Sequence, residues 1–222
     1  MPRSCSRYSQ NCLSCIRARS PMPADRRPWD ARVAAWLVTP LRGTALTPNH
    51  LTTIRLIVGL FGAIVFALGR QPLLAALLVV LSNFLDHTDG EFARMTDQYS
   101  TFGHYYDLAA DAIVTVGLFI GIGIGLRGGE LGVLAILYGL IAGAAVATIF
   151  QIRNVLENRL GKVATRQVSA AGFEAEDVLY LLPLVIVFDV LDGFLVAAAI
   201  GAPLALALVA FDFQRRMRTP VP

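Results

Sequence analysis

Six blocks of mostly apolar residues, joined by polar connections, make up most of the sequence after residue 49. They cover residues 50–69, 72–89, 104–126, 131–151, 177–190 and 193–212. A helix needs about 20 mostly apolar residues to cross a bilayer, and the fifth block is the shortest of the six. The pattern therefore predicts an all-α, polytopic membrane protein with six transmembrane helices. The polar stretch over residues 153–176 is expected to lie outside the hydrocarbon.

A further short helix is predicted before the first block. Four apolar residues at helical spacing form one face, namely Trp29, Val33, Trp36 and Leu37. Arginines flank this face, which is typical of a helix that lies in the membrane interface. Thr47 followed by Pro48 predicts the start of the first transmembrane helix, because threonine is a good cap and proline suits the first helical position.

The composition agrees with this class: 55% of the 222 residues are hydrophobic and 16% are charged. Soluble domains carry about a quarter charged residues. A disordered chain, a collagen-like chain and a disulfide-stapled secreted module are thereby excluded. The three cysteines, Cys5, Cys12 and Cys15, precede the first block without a nearby histidine, so we expect reduced thiols rather than a zinc site.

The basic residues are distributed unevenly between the two sides of the membrane. With six transmembrane helices, sixteen of the 19 Lys and Arg residues lie on the side of the two termini and two lie on the opposite side. The remaining one, Arg55, lies inside the first block. The positive-inside rule then predicts cytoplasmic termini, and we expect a bacterial inner-membrane protein. The chain divides into a disordered basic tail over residues 1–28, a membrane domain over 29–213 and a basic tail over 214–222. Met22 is an alternative start.

Glycines recur four residues apart in the third and fourth blocks. They are Gly117, Gly121 and Gly125, then Gly139 and Gly143. This spacing lets helix backbones approach closely, within one bundle or across a homodimer. We expect a homodimer among membrane lipids and no nucleic-acid partner.

Four aspartates lie near the junction of the second and third blocks. Asp86 and Asp89 are three residues apart, and Asp107 and Asp111 are four apart, so each pair shares one helix face. Both pairs lie on the same side of the membrane, so the four carboxylates can converge. Ionisable groups at membrane depth indicate function. Carboxylates bind hard cations such as Mg²⁺, and two such ions can clamp a pyrophosphate.

The residues around these aspartates follow a recognisable spacing, D-x2-D-G-x2-A-R-x8-G-x3-D-x3-D. Its fixed positions are filled by Asp86, Asp89, Gly90, Ala93, Arg94, Gly103, Asp107 and Asp111. The sequence thereby resembles the CDP-alcohol phosphotransferase (CDP-alcohol phosphatidyltransferase) family over about residues 29–213. The T-P-N-x-L-T over residues 47–52 also resembles the family's entry to its first span.

The resemblance implies an enzyme of phospholipid synthesis. Such an enzyme transfers a phosphatidyl group from a CDP-linked lipid donor, usually CDP-diacylglycerol, to a small alcohol acceptor and releases CMP. The four aspartates would hold two Mg²⁺ or Mn²⁺ ions, and Asp111 would also be the base for the acceptor hydroxyl. The nucleotide pocket would be lined by Gly90, Ala93, Arg94, Gly103 and Asn49.

The acceptor is left open by the sequence. Four basic residues follow the fourth block, namely Arg153, Arg159, Lys162 and Arg166. They can bind a phosphorylated acceptor such as glycerol 3-phosphate or an inositol phosphate. They can also contact anionic lipid head groups or merely follow the positive-inside rule. The acids that follow them favour an uncharged or cationic alcohol instead.

Two other functions compete with this interpretation. An intramembrane prenyltransferase also uses paired aspartates with Mg²⁺, but it predicts a second separate aspartate motif. The sequence offers for this only Asp189 and Asp192, which we interpret as a turn with a helix cap. A transporter with buried acids predicts a site near the membrane midplane at a repeat interface.

Overall fold

The computed structural model describes residues 33, 36–41, 44, 46–98, 100–160 and 179–218. Within these residues, all regular secondary structure is helical. The α-helices are α1 (Pro48–Leu68), α2 (Pro72–Thr96), α3 (Thr101–Leu126), α4 (Leu134–Leu160), α5 (Leu182–Val187) and α6 (Leu191–Arg218). The predicted N-terminal tail, residues 1–28, lies outside the described residues.

Five of these helices, all except α5, are long and apolar enough to cross a membrane. They confirm the predicted class of an all-helical integral membrane protein, but the predicted count of six spans is not confirmed. Among the described residues of the fifth predicted block, the α-helix is α5, which has 6 residues. A crossing needs about 20. Residues 177 and 178 of that block lie outside the described part.

The sequence of α1 explains its start and its orientation. Pro48 occupies the first turn, and the N–H of Thr47 donates to Nδ1 of His50 at 3.3 Å. Large apolar side chains follow one another along one face and are exposed, as expected of a surface covered by lipid. They are Ile57, Phe61, Ile64 and Leu68. The opposite face points into the bundle and carries Arg55, Gly59, Gly62 and Phe66, all of them buried.

The second helix is longer than its apolar block predicts. We predicted an end near residue 89, but α2 continues to Thr96. Hydropathy reports where a helix leaves the hydrocarbon, whereas the backbone stays helical until a residue adopts another conformation. Here Asp97 does so, with a φ of 55° in the left-handed region. Asp86 and Asp89 therefore lie inside a helix, which fixes their relative direction.

The glycine series pack helices together inside the bundle. A Cβ added to Gly121 or Gly125 of α3 would collide with a carbonyl oxygen of α1, and one added to Gly139 of α4 would collide with the carbonyl of Phe119. Each contact brings two backbones together, as the spacing predicts. A homodimer stays a prediction.

The segment before α1 includes a short helical stretch. Val38 is fully buried against Leu51 and Phe92, whereas Trp36 is 76% exposed. An inward valine beside an outward tryptophan suits a helix that lies in the membrane interface against the bundle. Trp29, the first residue of the predicted apolar face, lies outside the described residues.

Candidate active site

The side chains of the four aspartates meet around one arginine, Arg55 of α1. The guanidinium lies 3.0 Å from Asp86, 3.3 Å from Asp89, 2.6 Å from Asp107 and 2.7 Å from Asp111, each distance joining a nitrogen to a carboxylate oxygen. Arg55 is 2% exposed. The spacing of the aspartates predicted their convergence, but it did not predict the cation among them.

The arginine and the four aspartates come from three helices, α1, α2 and α3, and each helix contributes them from one face. Asp86 and Asp89 are one turn apart in α2, and Asp107 and Asp111 are one turn apart in α3. Because i and i+3 or i+4 positions share a face, each helix presents two carboxylates in the same direction. The helix α1 packs against both α2 and α3, and it brings Arg55 between the two pairs.

The hydroxyl groups of Thr52 and Ser82 stabilise this arrangement through hydrogen bonds. Oγ1 of Thr52 donates to Oδ2 of Asp89 at 2.7 Å, and both residues are buried. Oγ of Ser82 donates to the carbonyl oxygen of Arg55 at 2.8 Å. A buried carboxylate needs such hydrogen bonds, because its removal from water is costly. These contacts hold Asp89 and the backbone of Arg55 in place.

The carboxylates can hold a divalent metal ion. One oxygen from each of Asp86, Asp89 and Asp107 lies within 4.8 Å of the others. This donor set is all oxygen, which suits a hard cation such as Mg²⁺ or Mn²⁺. The guanidinium of Arg55 carries one positive charge, whereas the four carboxylates carry four formal negative charges. The cluster therefore keeps a formal excess of negative charge. The residues present therefore fit the expected metal. Asp111 is not part of this group of three.

The predicted nucleotide-binding residues lie at the same end of the bundle. A Cβ at Gly90 would meet just one atom within 4 Å, Nη2 of Arg94 at 3.7 Å, so the backbone there is approachable. Gly103 differs, because a Cβ there would lie 2.8 Å from Oδ1 of Asn49 and from Oγ of Ser100. Glycine at this position thus lets Asn49 pack against α3.

Arg94 and Ala93 occupy the last turn of α2. Arg94 is half exposed, and its Nη2 lies 3.0 Å from Oε1 of the buried Glu91. The half-buried Ala93 accepts the backbone N–H of Asp97 through its carbonyl and so helps to end the helix. The predicted role of Ala93 and Arg94 in lining a nucleotide pocket stays a prediction.

A cavity of about 170 Å³ adjoins the carboxylates between α2, α3 and α4. Its polar lining includes Asn83, Asp86, Asp111, Gln151, Arg153 and Asn154. Nε2 of Gln151 donates to the carbonyl of Leu108 at 3.0 Å, which ties α4 to α3 beside the cavity. Nδ2 of Asn83 is buried without a hydrogen-bond partner among the described residues. The cavity thus combines carboxylates, amide groups and the guanidinium groups of Arg55 and Arg153.

The basic stretch after the fourth block is described in part. Arg153 lines the cavity, and Arg159 lies in the last turn of α4. Lys162 and Arg166 lie outside the described residues. The second aspartate pair lies elsewhere: Asp189, with a φ of 53°, is in the turn between α5 and α6, and Asp192 is in the first turn of α6. The turn at Asp189 agrees with the prediction, whereas Asp192 lies inside the first turn of the helix and the predicted helix cap stays a prediction.

One feature of the sequence could have identified Arg55. It is the single charged residue within the first apolar block, and charged groups at that depth are rarely without a function. Thr52 precedes it by three residues and therefore lies on the same helix face. The aspartates that contact Arg55 are 31 to 56 residues away along the chain, so its role depends on the tertiary structure.

Comparison with known proteins supports the family named by the motif. The sequence model of the CDP-alcohol phosphatidyltransferase family matches residues 45–199, which is more than half of the chain. An archaetidylinositol phosphate synthase of Pyrococcus horikoshii is 34% identical over 85 residues, 38% of this chain and 45% of that protein. A bifunctional IPC transferase and DIPP synthase of Aquifex aeolicus is 32% identical over 77 residues, 35% of this chain and 18% of that protein.

The chain belongs to the CDP-alcohol phosphatidyltransferase family. Residues 45–199 therefore form the domain that defines this family of phosphatidyl transferases. The chain matches less than half the length of each of these two relatives, so their activities are not carried over as a whole. Neither the prenyltransferase nor the transporter interpretation gains support. The described residues form one carboxylate cluster, and Asp189 of the second aspartate pair lies in a turn.

Proposed function

We propose that this family member transfers a phosphatidyl group from CDP-diacylglycerol to an alcohol and releases CMP, with divalent metal ions bound by its aspartates. The observation that carries this proposal is the meeting of Asp86, Asp89, Asp107 and Asp111 at one end of the bundle. In the reaction, the alcohol oxygen forms a bond to the lipid-linked phosphorus, and the bond from that phosphorus to the CMP oxygen breaks.

Asp86, Asp89 and Asp107 would hold the metal, because their oxygens lie within reach of one centre. Mg²⁺ or Mn²⁺ held there, two ions in our proposal, would supply positive charge to offset that of the diphosphate and of the departing CMP. The protein's own part is to keep the carboxylates converged. The buried Thr52 and the rigid helices do this before substrate arrives.

Asp111 would accept the proton of the acceptor hydroxyl. It lies at the border between the carboxylate cluster and the cavity, which is where an acceptor must meet the donor phosphorus. A base has to lie within hydrogen-bond reach of the proton that it removes. An acceptor seated in the cavity would satisfy this requirement, and Asp111 can also contact metal.

The acceptor would be a phosphorylated alcohol. Arg153 lines the same cavity as Asp111, so it can bind a phosphate while the hydroxyl faces the carboxylate. The name of the Pyrococcus relative, an archaetidylinositol phosphate synthase, supports an inositol phosphate as the first acceptor to test. Arg159 lies six residues further along α4, in its last turn.

The active site would face the cytoplasm of a bacterial cell, with the N-terminus on that side and, for a chain with six spans, the C-terminus as well. The unequal distribution of basic residues supports this orientation. With Cys5, Cys12 and Cys15 replaced by serine, a single cysteine at position 157 should react with a membrane-impermeant maleimide only after permeabilisation. Labelling in intact cells would contradict the orientation.

The test of the function is CMP release by the purified protein from CDP-diacylglycerol. A panel of alcohols should include an inositol phosphate, glycerol 3-phosphate, free inositol and serine, each with Mg²⁺ and with excess chelator. We expect release with a phosphorylated alcohol and none after chelation. Arg153→Gln should raise KM for that acceptor more than it lowers kcat. Absence of CMP with every alcohol, or full release after chelation, would contradict the proposal.

A further inference from the structure

Arg55 is the side chain that all four aspartates of the carboxylate cluster contact. Its Nη1 lies near both Asp86 of α2 and Asp111 of α3, at 3.0 and 2.7 Å. Its Nη2 donates to Oδ1 of Asp107 at 2.6 Å and to the carbonyl of Asp107 at 3.2 Å. One buried side chain of α1 thus links both aspartate pairs.

We propose that Arg55 is the built-in counter-cation of the cluster, a positioning residue that holds the carboxylates together before metal binds and competes with metal for their oxygens. This inference rests on the proposed function, which assigns the metal to Asp86, Asp89 and Asp107. It deepens that function by stating how a strongly anionic site stays assembled inside a membrane protein.

Electrostatics inside the bundle requires such a cation. Four formal negative charges converge where the effective dielectric is far below that of water, and like charges there repel strongly. Breaking a buried ion pair by removing one partner is costly, because the remaining charge is left uncompensated. Arg55 is itself buried, so its charge also depends on the aspartates. Each side of the cluster therefore stabilises the other.

Competition is expected because Arg55 contacts all three carboxylates that would hold the metal. Oδ1 of Asp107 accepts a hydrogen bond from Nη2, and Oδ1 of Asp86 lies 3.0 Å from Nη1. An oxygen that binds a guanidinium has fewer lone pairs for a metal, and the positive charge beside it repels a second cation. We therefore expect bound divalent metal to weaken some of the contacts between Arg55 and these carboxylates.

The test uses the full-length protein in detergent with Mn²⁺ alone and no substrate. Arg55→Met removes the charge and keeps a long side chain. Arg55→Lys keeps the charge, but a single ammonium group cannot donate to all four carboxylates. The readouts are Mn²⁺ binding by electron paramagnetic resonance and thermal unfolding in chelator and in saturating Mn²⁺. Arg127→Met is the control, because Arg127 is exposed and donates to Ile124 of its own helix.

We expect Arg55→Met to lower Tm in chelator and to recover more Tm with Mn²⁺ than the wild type does. Its Mn²⁺ affinity should rise on the order of tenfold, because a competing positive charge is gone. Arg55→Lys should change both readouts in the same direction by less, and it carries the test if the methionine variant does not purify. Adding Asp107→Asn to Arg55→Met should restore part of the Tm lost in chelator.

A purely structural role for Arg55 would lower Tm without tightening Mn²⁺ binding. Unchanged or weaker Mn²⁺ binding by a folded Arg55 variant would therefore overturn the inference and leave the metal proposal standing. Absence of Mn²⁺ binding by the wild type would instead remove the metal proposal, and the competition with it. A Tm in chelator that Arg55→Met leaves unchanged would overturn the counter-cation role itself.

Discussion

The contact between α1 and α3 is built in two different ways along its length. Toward one end, Gly121 approaches the carbonyl of Ala63 so closely that no side chain fits between the backbones. Toward the other end, Arg55 of α1 meets Asp107 and Asp111 of α3 through charged hydrogen bonds. The glycine contact needs the absence of a side chain, whereas the charged contact needs opposite charges. We call these two regions the glycine seam and the charged end.

The difference between these regions has a consequence for catalysis. Packing in the glycine seam depends on shape and fixes the distance between the helices without any polar side chain. The charged end can then hold repelling carboxylates close together, because the helices that carry them are already positioned. A site on rigid elements keeps its geometry more precisely than a site on loops. We therefore expect variants of the aspartates at the charged end to change mainly the rate, and variants of the seam to change mainly stability.

The largest effect on rate is expected for Asp86→Asn, because the neutral amide is a weak metal ligand. CMP release should fall about 10³-fold or more, since a catalytic metal supplies several kcal/mol. The protein should still purify folded. Asp189→Asn is the matched control and should be near normal, because asparagine tolerates the left-handed conformation of Asp189. A comparable loss at Asp189 would mean that the wrong aspartate pair had been assigned.

The next effect is expected for Asp111→Asn, which separates base chemistry from metal binding. Turnover should fall about 10²–10³-fold, within the range of a removed general base, while donor binding is retained. The measurement is CMP release against Mg²⁺ concentration, beside Asp86→Asn. Return of Asp111→Asn to the wild-type rate at high Mg²⁺ would rule out the base role and leave Asp111 as a metal ligand.

A smaller loss of activity is expected for Thr52→Val, which keeps the shape and removes the hydroxyl that donates to Asp89. Partners of metal ligands typically contribute about 10–100-fold to metal affinity or activity. Mn²⁺ affinity and CMP release should fall together by such a factor. Thr148→Val is the control, because Thr148 donates at 2.7 Å to the carbonyl of Ala144 in its own helix. Equal losses in both variants would contradict a specific role for Thr52.

The smallest effect on rate, with a clear effect on stability, is expected for Gly121→Leu in the glycine seam. The added side chain must push α1 and α3 apart, and overpacking of this kind costs about 1–3 kcal/mol. Tm should fall, while CMP release per folded molecule should change less than in any charged-end variant. Gly201→Leu is the control, since nothing lies within 4 Å of a Cβ at that position. If Gly121→Leu abolished turnover in folded protein, the two regions would not be separable.

The glycine motifs and the aspartate motif illustrate different degrees of predictability. The spacing of Gly121 and Gly125 predicted close packing, but it left open whether the partner was a helix of the same chain. The spacing of the aspartates predicted two pairs on two helix faces. In both cases the local periodicity follows from helix geometry alone. Choosing the partner requires knowing which helices are neighbours.

The boundaries of α2 show a second limit. Its apolar block ended near residue 89, yet the helix continues to Thr96, because polar residues beyond the hydrocarbon still form a helix. The fifth block also appeared long enough to suggest a span, whereas its described α-helix has 6 residues. Hydropathy measures preference for the hydrocarbon, and backbone conformation is decided partly by other contacts.

By itself, the sequence determined an apolar helical membrane protein and the motif that identifies its family, because both depend on residue types at short spacing. The tertiary structure decided which helix lies between the aspartate pairs, and so decided that Arg55 is their common partner. It also decided that the cavity beside Asp111 includes Arg153 from a fourth helix. These contacts join residues tens of positions apart, and their energies depend on burial and distance, which the order of residues along the chain does not contain.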